Sequence, residues 1–226
     1  MFYLKNVSDK RHMRRILIIG ASHAYKLGNE FKKLEEGKFK VEVYAQPGAR
    51  FEDIQFPDLE SCTELDVIVF LCLGNDVFKK NSHRVERTRQ GKVIHLNSYL
   101  PSSDTHLRNI ANALEKIIRN CRGHCFVLDN FYKHLRCCRS HKDSNQGLLG
   151  FQKKFNAFIR RFFANICTVV DHTYLLFDTS KERRNEWSYR KLQRDSVHFS
   201  AEQYLRVASR LLTRFPPMNT IARGLL

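Results

Sequence analysis

The chain has 226 residues, enough for one large α/β domain or two small ones, and its 42% hydrophobic and 12% aromatic content excludes a disordered polypeptide. No apolar run approaches the ~20 residues that cross a bilayer, and Met1 to Arg15 is too charged for a secretory signal. These features predict a non-exported, intracellular protein, in the cytoplasm or the nucleus, whose seven cysteines stay reduced thiols. Against 39 Lys and Arg stand 23 Asp and Glu, a net charge of +16, and such an excess favours polyanionic partners such as RNA.

In chain order, Arg15 to Gly20 (RILIIG) is a β-branched run closed by glycine, the pattern of a strand buried on both faces. A helix is expected from His23 to about Leu34, and Phe39 to Tyr44 alternates as a strand with unlike faces, broken by Pro47-Gly48. Asp66 to Gly74 (DVIVFLCLG) carries the strongest buried-strand pattern and predicts a central strand. From Asp104, the residues Leu107, Ile110, Ala111, Leu114, Ile117 and Ile118 recur at helical spacing behind a Ser/Asp cap. Cys125 to Leu128 reads as the next strand, and Phe151, Phe155, Phe158, Ile159 and Phe162 as the core stripe of another helix. Thr168-Val169-Val170 and Tyr174 to Phe177 compete for the last strand. Ser200 with Gln203 forms a capping-box pattern ahead of a final helix carrying Tyr204, Val207, Ala208 and Leu211 on one face.

Strands alternating with helices imply a largely parallel sheet covered on both sides, in a single domain over 15–214 with a basic extension at 1–14 and a tail at 215–226. Ligands gather at the carboxyl ends of such strands, so the residues after Gly20, around Gly48 and after Gly74 are expected to be neighbours. The segments there are Gly20-Ala21-Ser22-His23, Pro47-Gly48-Ala49 and Gly74-Asn75-Asp76, and a fourth, Asp195-Ser196-Val197-His198, precedes the last helix. Acyl transfer by a serine needs a histidine to take its proton, a carboxylate to orient the histidine, and donors for the oxyanion, and these segments contain every part. Each residue also has a plainer reading: Ser22 as a helix cap, Asn75 as a turn residue, His198 and Asp195 as a surface pair.

Taken in this order, the four segments resemble the SGNH hydrolases, or GDSL-type esterases and lipases, over Ile16 to about Leu212. The resemblance implies a flavodoxin-like three-layer α/β/α sandwich of about five parallel strands and an ester hydrolase needing no cofactor or metal. It also implies Ser22 as nucleophile, His198 as general base, Asp195 as its orienting partner, and an oxyanion hole made by the Ser22 and Gly48 N–H groups and the Asn75 amide. Two departures stand out: Ala21 replaces the acidic residue usual before the serine, and Leu73 the glycine usual two positions before the asparagine. SGNH-like domains also occur in the first open reading frame of some LINE-type retrotransposons and in the RNA-binding C-terminal domain of Oskar. That supports an alternative in which the domain binds RNA and the catalytic site is vestigial or auxiliary.

Three segments are densely basic: Lys79 to Lys92, Lys133 to Lys142 and Lys181 to Arg194. They read as solvated loops or as polyanion contacts, with Arg183, Arg184, Trp187, Tyr189, Arg190 and Lys191 combining charge and aromatic rings as a single-stranded nucleic acid groove would. Cys121, Cys125, Cys137 and Cys138, with His124, His134 and His141 nearby, contain no Cys-x-x-Cys knuckle, so thiols are expected there rather than a zinc site.

Overall fold

The computed structural model describes residues 13–87, 91, 93–132, 142–184, 192 and 197–217. Five strands, β1 (Arg14–Gly20), β2 (Phe39–Ala45), β3 (Val67–Leu71), β6 (His124–Leu128) and β7 (Thr168–Val170), form one sheet in the order β2-β1-β3-β6-β7. All its pairings are parallel. This is the order of a flavodoxin-like sheet, in which the winding direction reverses between the first strand and the third. The expected three-layer α/β/α sandwich is therefore the architecture observed.

Alternation along the central strands divides the core into two layers. Leu17, Ile19, Ile68, Phe70 and Val127 face α2 (Asp104–Arg119) and α3 (Lys142–Phe163), meeting Leu107, Ile110, Leu114, Phe155, Ile159 and Phe163. Ile16, Ile18, Val67, Val69, Phe126 and Leu128 face α1 (Ser22–Lys32) and the last helix, meeting Leu27, Phe31, Tyr204, Val207 and Leu211. Parallel strands covered on both sides need apolar residues at successive positions, which is why β1 and β3 read as unbroken apolar runs. Arg14 already belongs to β1, and Phe215 is buried against Phe31 and Phe126.

The competition for the last strand resolves in favour of Thr168–Val170. After it, Asp171 caps the short helix α4 (His172–Leu176) by accepting from the Thr173 N–H at 2.9 Å. Helix α5 (Ser180–Arg184) follows, and Ser200 caps α6 (Ala201–Leu212) by accepting from the Gln203 N–H at 3.4 Å.

One element has no counterpart in the sequence reading. Residues of the basic segment Lys79 to Lys92 do not form a loop: β4 (Phe78–Arg87) and β5 (Val93–Pro101) pair as an antiparallel hairpin forming a separate two-stranded sheet. In β4 charged residues obscure the period-2 signal by which strands are recognised. At its feet the Ser102 N–H donates to the Val77 carbonyl at 3.0 Å, and the Phe78 ring packs on Phe151.

Candidate active site

The carboxyl ends of β1 and β3 flank the point where the winding reverses, and the candidate residues lie there. Gly20 ends β1 so close to β3 that a Cβ on it would lie 2.3 Å from the Leu71 carbonyl oxygen, so only glycine fits. Ala21 takes the N-cap position of α1 and provides no side-chain cap. Ser22 is thus the first helical residue rather than the cap. Its Oγ lies 2.9 Å from His198 Nε2, within hydrogen-bond distance, across 176 residues of sequence. With hydrogen on Nδ1, the tautomer a catalytic serine–histidine pair uses, Nε2 accepts from the Ser22 hydroxyl.

Gly48 lies in the turn after β2 with φ +85°, a conformation glycine adopts without strain. The following segment is tied to the end of β3 by two side chains. Asn75 Nδ2 donates to the Ala49 carbonyl at 2.7 Å, and the buried Asp76 carboxylate accepts from the Phe51 N–H at 2.9 Å. The other Asp76 oxygen stands 3.5 Å from His106 Nε2 of α2. Burial pushes the Asp76 carboxyl above its ordinary range, with the Phe51 N–H and His106 opposing. The three blocks from the strand ends therefore meet as expected, with Ser22, Gly74 and Asn75 lining one small cleft. Leu73, which departs from the family pattern, does not wall this cleft; it is buried in the core beneath α2 and α3.

The opposite wall comes from residues after β6 that sequence reasoning passed over. Asn130 and Phe131 line the cleft. Asn156 fixes this segment, accepting from the Asn130 N–H at 3.1 Å and donating to its carbonyl at 2.7 Å. The preceding Asp129, almost fully buried, accepts from the His172 backbone N–H at 2.9 Å, contacts His172 Nδ1 at 2.5 Å and pairs with Arg160. Asp129, Asp171 and His172 offer ligand atoms within 4.8 Å of one another, but Arg160 bridges both carboxylates. A cation would have to displace it, so this cluster is a structural network.

His23 was also missed as a site residue. Its Nδ1 lies 2.7 Å from the Tyr204 hydroxyl, and its ring sits 5.2 Å from His198 and 4.8 Å from Phe131, centroid to centroid. Its place directly after Ser22 was the available signal. Tyr204, read only as core, thus supports the floor of the cleft.

Asp195 lies outside the described residues, as do Trp187, Tyr189, Arg190 and Lys191, and with them Cys137, Cys138, His134 and His141. Arg184 ends α5. Arg183 is engaged within the chain, its guanidinium 4.2 Å above the Tyr174 ring and within 3.2 Å of the Asp178 carbonyl. No helix among the described residues is long and apolar enough to cross a membrane.

Solved structures share this architecture over most of the chain. A candidate SGNH hydrolase from Slackia heliotrinireducens superposes with a TM-score of 0.54 at 13% identity, covering 89% of this chain and 97% of its own. The chain has the SGNH-hydrolase fold. A candidate acylhydrolase from Bacteroides fragilis gives a TM-score of 0.52 at 15% identity, over 91% of this chain and 88% of its own. A GDSL-like lipase from Bacteroides thetaiotaomicron gives 0.51 at 16% identity, over 89% and 87%. No family model matches the sequence, and no curated protein does. Within the SGNH fold, Ser22 stands after the first strand and His198 just before the last helix.

Proposed function

We propose that the protein is a serine ester hydrolase. The observation that carries this reading is the 2.9 Å hydrogen bond between Ser22 Oγ and His198 Nε2 at the winding reversal of the sheet. A serine hydroxyl is a weak nucleophile until a base accepts its proton as it attacks. His198 Nε2 is within reach to do so. Attack of Ser22 Oγ on the ester carbonyl carbon forms a C–O bond and moves the carbonyl electrons onto oxygen. Donors for that oxyanion come from the Ser22 and Gly48 N–H groups and the Asn75 amide, the set implied by the family resemblance. His198 then returns the proton to the leaving alkoxide, and water activated by the same imidazole releases the acyl group. Asp195 is assigned by resemblance to orient the imidazole through Nδ1.

Labelling with a fluorophosphonate tests this reading, because the reagent modifies a serine only when it is activated. Labelling of the wild type that disappears in both Ser22→Ala and His198→Ala is the expected result. A folded wild type that does not label, or a Ser22→Ala variant that still does, overturns it.

The net charge of +16 supports a second, compatible role in binding a polyanion such as RNA. Since Arg183 is occupied by Tyr174 and nearby carbonyls, that role rests on Arg184, Trp187, Tyr189, Arg190 and Lys191. Replacing Arg184, Arg190 and Lys191 by alanine is expected to lower the log–log salt slope of RNA binding by about one unit per lost phosphate contact.

A further inference from the structure

The cleft beside Ser22 lies between two walls that come close together. One is the segment after β3, with Gly74 and Asn75, and the other is the segment after β6, with Asn130 and Phe131. A Cβ placed on Gly74 would lie 3.4 Å from Asn130 Oδ1, an ordinary van der Waals contact, so a single methyl group spans the gap there. The floor is apolar, made by the buried Leu71 and Leu128 at the strand ends. The cavity volume is about 20 Å³, where holding a single water takes roughly 10–15 Å³. It has room for one methyl-sized group and not for a chain of them.

Both walls are held in place. The buried Phe131 ring meets His172 at 5.3 Å and Phe199 at 5.2 Å edge-on, and His23 at 4.8 Å, centroid to centroid. Asn130 is fixed by the fully buried Asn156, whose Oδ1 accepts from the Asn130 N–H at 3.1 Å and from its Nδ2 at 3.3 Å, while Asn156 Nδ2 donates to the Asn130 carbonyl at 2.7 Å. That pairing leaves Asn130 Oδ1 as the atom nearest Gly74. On the other side, the Asn75 bond to Ala49 and the Asp76 bond to Phe51 tie down the segment after β3.

We propose that this cleft is the acyl subsite and selects acetyl esters, with Phe131 and Asn130 as the specificity-determining residues. The inference rests on the serine-hydrolase reading and names the substrate class for that site. The cleft borders both Ser22 and Asn75, the residue assigned to the oxyanion. An acyl carbon bonded to Ser22 Oγ, with its oxygen at the Asn75 amide, therefore carries its remaining substituent between the walls. An acetyl methyl fills the space over Leu71 and Leu128. Each further methylene meets Phe131 or Asn130, and forcing it in strains a packed wall. In the reaction Ser22 Oγ takes the acetyl group, the alcohol leaves with the proton returned by His198, and water releases acetate.

The 4-nitrophenyl esters of acetate, butyrate and octanoate share one leaving group, so their kcat/KM values read the acyl subsite. In the wild type kcat/KM is expected to fall at least about tenfold from acetate to butyrate, and further to octanoate, because a methylene in the wrong place costs roughly tenfold or more. In Phe131→Ala and Asn130→Ala, which widen the cleft at two points, the acetate-to-butyrate ratio is expected to shrink several-fold. Thermal melts establish that each variant folds. Asn130→Ala keeps both backbone bonds to Asn156 and carries the test if Phe131→Ala does not fold. A wild type that labels with fluorophosphonate yet cleaves butyrate as fast as acetate overturns the proposal and leaves the hydrolase reading standing. A ratio unchanged in the folded variants does the same. A folded wild type that neither labels nor cleaves any of the three esters overturns both.

Discussion

The two ends of the sheet put their polar groups to opposite uses. At the carboxyl ends, the contacts join segments remote in sequence, Ser22 to His198, Asn75 to Ala49 and Asp76 to Phe51, and Ser22 itself is half-buried. At the amino ends, the buried Asp66 carboxylate accepts from the Arg15 guanidinium at 2.7 Å, the Arg15 N–H at 3.2 Å and the Thr63 N–H at 2.8 Å. Those bonds hold the first strand to the approach of the central one. One end lines a small cleft, and the other satisfies its polar groups internally. Residues at the two ends are therefore expected to separate cleanly into those that change rate and those that change stability.

The largest separation is expected for Ser22→Ala. Ester hydrolysis should fall by roughly 10⁴-fold or more, since the pair acts as a unit. The thermal midpoint should stay near that of the wild type, because no cap and no buried contact is lost. Steady-state kinetics beside a thermal melt checks both halves, and a large drop in midpoint would mean that Ser22 is structural.

Asp66→Asn is expected to do the reverse, costing about 2 kcal/mol of stability at neutral pH by removing the charge opposite a partly exposed Arg15. Burial pushes the Asp66 carboxyl up, but the bonds from Arg15 and the Thr63 N–H outweigh it and the net shift is downward. A carboxyl whose folded pKa is depressed adds stability that is fully present above the unfolded value of about 3.9 and fades as pH falls through the folded value. The gap between the wild-type and variant urea midpoints should accordingly narrow below about pH 4. A gap independent of pH would show that the ion pair is not its source.

The smallest effect is expected for Tyr204→Phe, which keeps the ring in the core and removes the hydroxyl beside His23 Nδ1. Loss of one such bond should lower kcat about fivefold with little change in KM, through the setting of His23 under the His198 ring. A matching fall in stability with kcat unchanged would assign Tyr204 to packing alone.

Much of this arrangement was legible in the sequence, for identifiable reasons. Buried parallel strands write themselves as apolar runs, so β1 and β3 were plain. The strand-end rule then placed the Ser22, Gly48 and Asn75 blocks together before any contact was known. The hairpin was hidden because β4 is crowded with charges and β5 (VIHLNSYLP) mixes apolar and polar residues without a strict alternation. His23, Asp129 and Asn130 were hidden because their roles come from tertiary neighbours such as Tyr204, Arg160 and Asn156, which no local pattern reveals. The competing last strands could not be separated because Tyr174 to Phe177 is equally apolar. Its Leu175, Leu176 and Phe177 are buried from a short helix and the residue after it.

The hairpin leaves the body just after Asn75 and Asp76 and returns at the cap of α2. Its two feet are joined by the backbone bond between Ser102 and Val77, which makes the excursion a closed detour. Such an insertion can lengthen, shorten or be exchanged without altering the register of the five-stranded sheet. The segment from Lys79 to Leu100, beyond the core residue Phe78, is thus the natural place to graft a tag or a foreign loop onto this scaffold without rebuilding the cleft.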